Sequence, residues 1–209
     1  MKLTARIKTP TKLTAKFNEL KMPLSGGFEE GYERGYAAGY EVGEASGNAV
    51  IDGIAERTIT EFVNHRITKI GAYAFARHSV LIKIDIPNVE TIEQYGFNYC
   101  TGLTEIELPK VKTIANQAFN SCGKLTKVDA PMLEKLDGYS FTGSKLTTLI
   151  IRQNNKVCNL TSVSALRSTP IESGTGYVYV PAALVEQYKA ATNWSTYASQ
   201  IKPISELEE

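Results

Sequence analysis

Histidine and cysteine are scarce in this 209-residue chain, with two of the first and three of the second. Three cysteines are too few for a disulfide framework. No Cys-x-x-Cys spacing is there to hold a structural metal. The histidines, His65 and His78, have no partner in a catalytic motif, and no Gly-Lys-Ser/Thr loop is present to cradle phosphate. A surplus of either charge is missing too. The formal net charge is +1, which gives no electrostatic case for nucleic acid or an anionic bilayer as the main partner. No apolar run approaches the ~20 residues that span a membrane, so membrane insertion is not expected. The first residues lack the apolar stretch of a secretory signal, and ordinary export is not expected of the polypeptide as written. These absences point away from an enzyme, a cofactor or a bound metal.

What the chain has in quantity is repetition. A phenylalanine recurs every 22 residues, at Phe75, Phe97, Phe119 and Phe141. A pattern travels with it. Ile67-Thr-Lys-Ile70 becomes Val89-Glu-Thr-Ile92, Val111-Lys-Thr-Ile114 and Leu133-Glu-Lys-Leu136. Leu81-Ile-Lys-Ile84 becomes Leu103-Thr-Glu-Ile106, Leu125-Thr-Lys-Val128 and, after a one-residue deletion, Leu146-Thr-Thr-Leu149. A fixed period of this length marks a stacked solenoid with one short strand per coil. The reading is a mixed β/α solenoid over 51–153. It has a degenerate cap coil at 51–66 and regular coils at 67–88, 89–110, 111–132 and 133–153. Strands stacked at about 4.8 Å give an array about 20 Å long. Residues 154–209 read as a C-terminal cap. Val157 to Ser168 looks irregular, Gly176-Tyr-Val-Tyr-Val-Pro181 looks like a strand, and Ala182 to Ala191 has helical spacing. Trp194-Ser-Thr-Tyr197 and Ile201-Lys-Pro-Ile204 read as an aromatic and aliphatic plug.

Two unusual segments precede the array. Lys2-Leu-Thr-Ala-Arg-Ile7 repeats as Lys12-Leu-Thr-Ala-Lys-Phe17, with Pro10 between. Alternating apolar and polar residues predict two strands, hence a hairpin anchor over 1–21 whose apolar positions include Leu3, Ile7, Leu13 and Phe17. An isolated hairpin is marginal in water. It either folds back on its own chain or adds strands to another protein. Residues 22–50 contain glycine every fourth position, at Gly31, Gly35, Gly39 and Gly43, followed in step by Tyr32, Tyr36 and Tyr40. A helix puts these on one face. Four interior glycines cost it about 4 kcal/mol, so something must pack against that face. Self-association as a trimeric or dimeric stalk is the favoured reading. Docking on another protein and a flexible linker are the alternatives.

On the array strands, two outward columns are expected. Lys83, Glu105, Lys127 and Thr148 alternate in charge, so neighbours attract. Asp85, Glu107, Asp129 and Ile150 place carboxylates in a row. Flanking lysines relieve that repulsion in the plainer reading; a cation or a basic partner does so in the other. Lys83, Asp85, Glu105, Glu107, Lys127 and Asp129 are therefore the candidate binding surface. Tyr73, Tyr95 and Tyr139 form a further column, broken by Gln117. Such tyrosines either pack on the neighbouring coil or stack on a sugar or protein. Cys100 and Cys122 share a column and read as buried fillers of a tight corner; the alternative is a disulfide or metal pair, with His78 of the same column completing a mixed ligand set.

The coil pattern Val-x-x-Ile-x-x-x-x-Phe-x-x-Cys-x-x-Leu-x-x-Ile-x-Leu-Pro across 89–109 resembles the BspA-like leucine-rich repeats. The tail Tyr177-Val-Tyr-Val-Pro181, with Tyr188-Lys189 and Asn193-Trp194, is similar to the unit that closes those arrays. The resemblance implies a leucine-rich-repeat array with a binding or adhesion role and no enzymatic activity. It carries over no ligand residue. The layout of hairpin, Gly/Tyr stalk and repeat head also resembles a small virion protein of tailed bacteriophages. That implies a homo-oligomer, trimer favoured, bound to other virion proteins of tail, baseplate or capsid. Its head would be displayed toward a host cell-surface protein or glycan. The alternative is a bacterial adhesion or interaction module at the cell surface or in the cytoplasm.

Overall fold

The computed structural model of the chain describes residues 59–207. The hairpin expected at 1–21, the stalk expected at 22–50 and the start of the cap coil lie outside the described residues. So do Leu3, Ile7, Leu13, Phe17, Gly31, Tyr32, Gly35, Tyr36, Gly39, Tyr40 and Gly43.

Short parallel strands alternate between two sides of a coil. One side is a five-stranded sheet of two-residue strands: β2 (Lys69–Ile70), β4 (Thr91–Ile92), β6 (Thr113–Ile114), β8 (Lys135–Leu136) and β10 (Asn159–Leu160). Its register sets Thr91 against Thr113 and Ile92 against Ile114. The other side holds β5 (Glu105–Glu107), β7 (Lys127–Asp129), β9 (Thr148–Ile150), β11 (Tyr177–Val180) and β12 (Ile201–Pro203), again five strands in that order. Parallel strands need a crossover, and here each crossover is one arm of the coil. The inward residues are β-branched or leucine: Ile92, Ile114, Leu136, Val128 and Leu149 are fully buried.

The second side differs from the expected continuous ladder. β1 (Glu61–Val63) and β3 (Lys83–Asp85) form a separate parallel pair, with Glu61 against Lys83 and Val63 against Asp85. β3 therefore does not extend the sheet that begins at β5. The division coincides with Gly102, where a side chain would meet the carbonyl oxygens of Ser79 at 2.6 Å and Leu81 at 2.7 Å. Only glycine permits that backbone approach.

Between the two strand sides runs a turn arm carrying the phenylalanines. Phe75, Phe97, Phe119 and Phe141 are buried and stacked in one line, with centroids 5.0, 5.1 and 5.3 Å apart and planes within 10°. Phe62 closes the line edge-on at 4.7 Å from Phe75. Burying each ring contributes about 1.5–3 kcal/mol, and the shared direction fixes where every coil sits on the next. The arm itself is not an α-helix. Among the described residues the α-helix is α1 (Val185–Ala190), in the cap, with short 3-10 turns elsewhere. The mixed character expected of the solenoid thus comes from the cap, while the array is strand and turn.

Strand pairing runs past residue 153, where the sequence reading closes the regular coils. β10 pairs with β8 and β11 with β9. The stretch Val157 to Ser168, expected to be irregular, holds β10 and a 3-10 turn, Val163–Leu166. The expected plug also contains β12, parallel to β11. Pro203 in this last strand has no N–H to offer, which suits an edge.

The cap closes the β10 edge with side chains. Trp194 Nε1 donates to the Cys158 carbonyl at 2.6 Å, and Asn193 Nδ2 donates to the Leu160 carbonyl at 2.7 Å. The Cys158 N–H donates to Tyr188 Oη at 3.0 Å, and Tyr197 Oη donates to the Val163 carbonyl at 2.5 Å. Buried backbone groups that would otherwise await another coil are thereby satisfied. Burial pushes the Tyr188 hydroxyl well up from its ordinary pKa and that of Tyr197 to about 12, so both stay neutral at ordinary pH, Tyr188 as an acceptor and Tyr197 as a donor.

Candidate functional site

Lys83, Asp85, Glu105, Glu107, Lys127 and Asp129 all lie on the second strand side, on β3, β5 and β7. Glu105 faces Lys127, and Lys127 faces Thr148, as the alternating column predicts. Lys83 faces Glu61 instead of Glu105, because β3 pairs with β1. In the acidic column Glu107 faces Asp129, while Asp85 faces Val63. The expected relief by flanking lysines is not what is found. Asp129 accepts a hydrogen bond from Arg152 at 2.8 Å, and Asp85 is 2.9 Å from His65 Nε2. Both partners come from adjacent coils, so two of the three carboxylates have a side-chain partner outside the row. Among the described residues no cluster of three or more His, Cys, Asp or Glu side chains is arranged to hold a metal ion.

A second charge column escapes a reading of the strands alone. Glu90, Lys112, Glu134 and Lys156 stand one coil apart beside the first sheet. Lys112 pairs with Glu90 at 2.8 Å and Lys156 with Glu134 at 2.7 Å. The Lys112 hydrogen bond holds the Glu90 carboxyl below its usual range, and Glu90 in turn raises Lys112. The signal was the second residue of each opening tetrad, Glu90, Lys112 and Glu134. Such exposed pairs contribute little to stability and favour the aligned register.

The turn side is chemically different. Over 72–79, 94–101, 116–123 and 138–144 the sequence holds one residue charged at neutral pH, Arg77. Its outward positions are Tyr73, Tyr95, Gln117 and Tyr139 in one column, then Arg77, Tyr99, Ser121 and Gly143 in another. All eight have φ between 57° and 71°. This left-handed region costs a non-glycine residue roughly 1–2 kcal/mol. Hydrogen bonding offsets that cost. The N–H groups of Tyr95, Phe97 and Tyr99 donate to the carbonyls of Asn116, Ala118 and Asn120 in the next coil, at 3.2, 2.8 and 2.9 Å. Between them, the Gly96, Asn98 and Cys100 N–H groups close short turns within their own coil. The arm is a hydrogen-bonded ladder that leaves its side chains in fixed positions. Tyr73 and Tyr95 stack at 4.6 Å, Asn120 Nδ2 donates to Asn98 Oδ1 at 3.1 Å, and Tyr99 and Tyr139 are exposed.

Beneath this side lie Cys100 and Cys122, while Cys158 sits beside β10 under the cap; all three are free and buried. Cys100 Sγ donates to the Phe75 carbonyl and Cys122 Sγ to the Phe97 carbonyl, at 2.9 and 3.1 Å. Burial pushes the Cys122 and Cys158 thiols up to about 12 and raises Cys100 as well. Unreactive thiols under a continuous outer surface suit a scaffold for contact.

Parallel strands repeated coil by coil around one apolar spine define a leucine-rich-repeat solenoid, a fold class that works through its surface. Residues 58–174 match the BspA type leucine rich repeat region in six copies, more than half of the chain, and the protein belongs to that family. No curated protein matches the chain. Leucine-rich-repeat modules of this kind mediate protein interaction and adhesion. Among the described residues no helix is long and apolar enough to cross a membrane.

Proposed function

We propose that the chain is a non-enzymatic adhesion subunit of a bacteriophage particle. Residues 51–209 form the displayed head, and residues 1–47 anchor and oligomerise it. The observation that carries the head's role is the unbroken phenylalanine line. It makes the array rigid and holds the outward columns of the turn side in register, so a partner meets a preorganised surface at low ordering cost. The anchoring role rests on the repeated strand pattern of 2–17 and the glycine–tyrosine pattern of 31–43. Either strand addition or helix packing would join this chain to copies of itself or to other virion proteins. A second reading is a bacterial interaction module outside any particle; the family match is compatible with both, because it specifies the repeat and not its carrier.

Two measurements test this. Light scattering on the full chain is expected to give a trimer, and deletion of 1–50 a monomer; a monomeric full chain would remove the self-associating stalk. Mass spectrometry of purified phage particles is expected to find the chain. Its absence there, with recovery in bacterial envelopes, would favour the second reading.

A further inference from the structure

The tyrosine column of the turn side is broken at one position. Tyr73 and Tyr95 already stack face to face at 4.6 Å. The next position up holds Gln117, and the one after holds Tyr139. Register is kept throughout: Tyr95 N–H donates to the Asn116 carbonyl and Gln117 N–H to the Gly138 carbonyl, each at 3.2 Å. The backbone at Tyr95, Gln117 and Tyr139 has the same conformation, with φ of 60°, 57° and 58°. The three side chains therefore leave the arm in line, and Tyr139 is exposed. We infer that Tyr95 and Tyr139 bracket a site for one neutral hexopyranose ring of a saccharide, with the Gln117 amide at its base. The inference rests on reading the head as a binding module and names the ligand class of its turn side.

Size and chemistry select the occupant. Two coils separate Tyr95 from Tyr139, about 10 Å at the usual strand spacing. A flat ring touching a neighbour on each face needs only about 7–8 Å. A puckered pyranose is thicker, because its axial C–H bonds stand off the mean ring plane, and it presents those C–H groups to the aromatic faces. The amide at position 117 supplies two donors and an acceptor, a set that suits vicinal hydroxyls. The acidic groups nearest the column, Glu93 and Asp137, are paired with Lys69 and Lys135, which suits a neutral sugar over an acidic one. Fixed tyrosines and amides combine rigid contact area with adaptable hydrogen bonding.

The test is calorimetric titration of the full chain with N-acetylchitohexaose and with cellohexaose. Binding of at least one is expected, weakened tenfold or more by Tyr139→Asn, which keeps a residue tolerant of the left-handed backbone. Gln117→Tyr is expected to complete the tyrosine column, so binding is lost while the urea midpoint holds or rises. Glu186→Gln, exposed on the cap helix α1, is expected to leave binding unchanged. No binding to either saccharide, or binding that both turn-side substitutions leave intact, would overturn the site. Adsorption to host envelope fragments then separates the two levels of the argument. Adsorption abolished by periodate supports the sugar site. Adsorption that survives periodate and is abolished by protease overturns it and leaves the adhesion reading in place. No adsorption at all removes the adhesion reading too.

Discussion

The strand sides and the turn side of each coil share one interior and little else. On the strand sides the backbone is regular, and outward charges alternate: Glu105 faces Lys127, and Lys112 reaches Glu90. On the turn side the backbone enters the left-handed region twice per coil, and the outward residues are mainly aromatic, amide or hydroxyl. A regular strand needs no special support. A strained arm persists only where its surroundings over-determine it, and here the ring line and the coil-to-coil hydrogen bonds do so. The difference teaches that rigidity was placed under the side with the least charge.

The sharpest way to break this comparison is to remove the support. Phe119 sits mid-line with no exposed surface. Phe119→Ala is expected to cost about 3–5 kcal/mol by urea denaturation. Ile114→Ala, equally buried beneath the first sheet, belongs to a class costing about 2–5 kcal/mol. A Phe119→Ala cost below about 2 kcal/mol would mean that the turn side does not depend on the line of rings.

That line was the most legible feature of the sequence, because a buried aromatic every 22 residues admits few other arrangements. The cap was legible as aromatic, yet the polar tips of Trp194, Asn193, Tyr188 and Tyr197 meet backbone 30 or more residues away along the chain. The left-handed positions were hidden because Tyr, Gln, Arg and Ser occupy them; Gly143 alone hints at the conformation. The partners of Asp85 and Asp129 were missed for a related reason. Strand alternation pairs residues across a ladder, whereas His65 and Arg152 reach the acidic column from just beyond the strands β1 and β9. As for the candidate surface, sequence found the strand columns and the interruption at Gln117, but not that β3 leaves the ladder.

Alkaline pH sharpens the comparison from beneath the turn side. The Cys122 thiol is raised from 9.0 to about 12 in the fold. A raised thiol keeps its proton in the native state after the unfolded chain has lost it. The unfolded state then binds fewer protons, so stability falls as pH rises. The contribution is fully present below about pH 9 and declines toward pH 12. Urea midpoints measured from pH 8 to 11 are expected to fall, and less steeply in Cys122→Ala. A flat profile would mean that the thiols under the turn arm are solvated.

Tyr188→Phe asks whether the strand side needs its capped edge. It leaves the buried Cys158 N–H without its acceptor, at an expected cost of about 1–3 kcal/mol. Exchange of the Cys158 amide proton should accelerate with it. Unchanged stability and exchange would show that another group satisfies this edge. Next in size is the strain itself. Ser121 has φ of 59° where the following coil has Gly143. Ser121→Gly is expected to stabilise by about 0.5–1 kcal/mol, the relief of left-handed strain less the entropy that glycine loses. Ser121→Ala should bring no gain, and a loss on Ser121→Gly would assign the serine side chain a stabilising role larger than the strain.

The smallest effect belongs to the strand side, and its size is the point. Lys127→Glu sets a carboxylate opposite Glu105 and next to Asp129. Like charges directly opposite destabilise a sheet by about 0.2–1 kcal/mol. Pairing this change with Glu105→Lys restores the attraction across the same two strands, so the double variant should recover most of the loss. High salt should shrink the single-variant effect, because exposed charges are screened. A loss above about 2 kcal/mol, or one insensitive to salt, would show that the column is buried against something in solution. The strand side would then be the contact surface, and the contrast with the turn side would reverse.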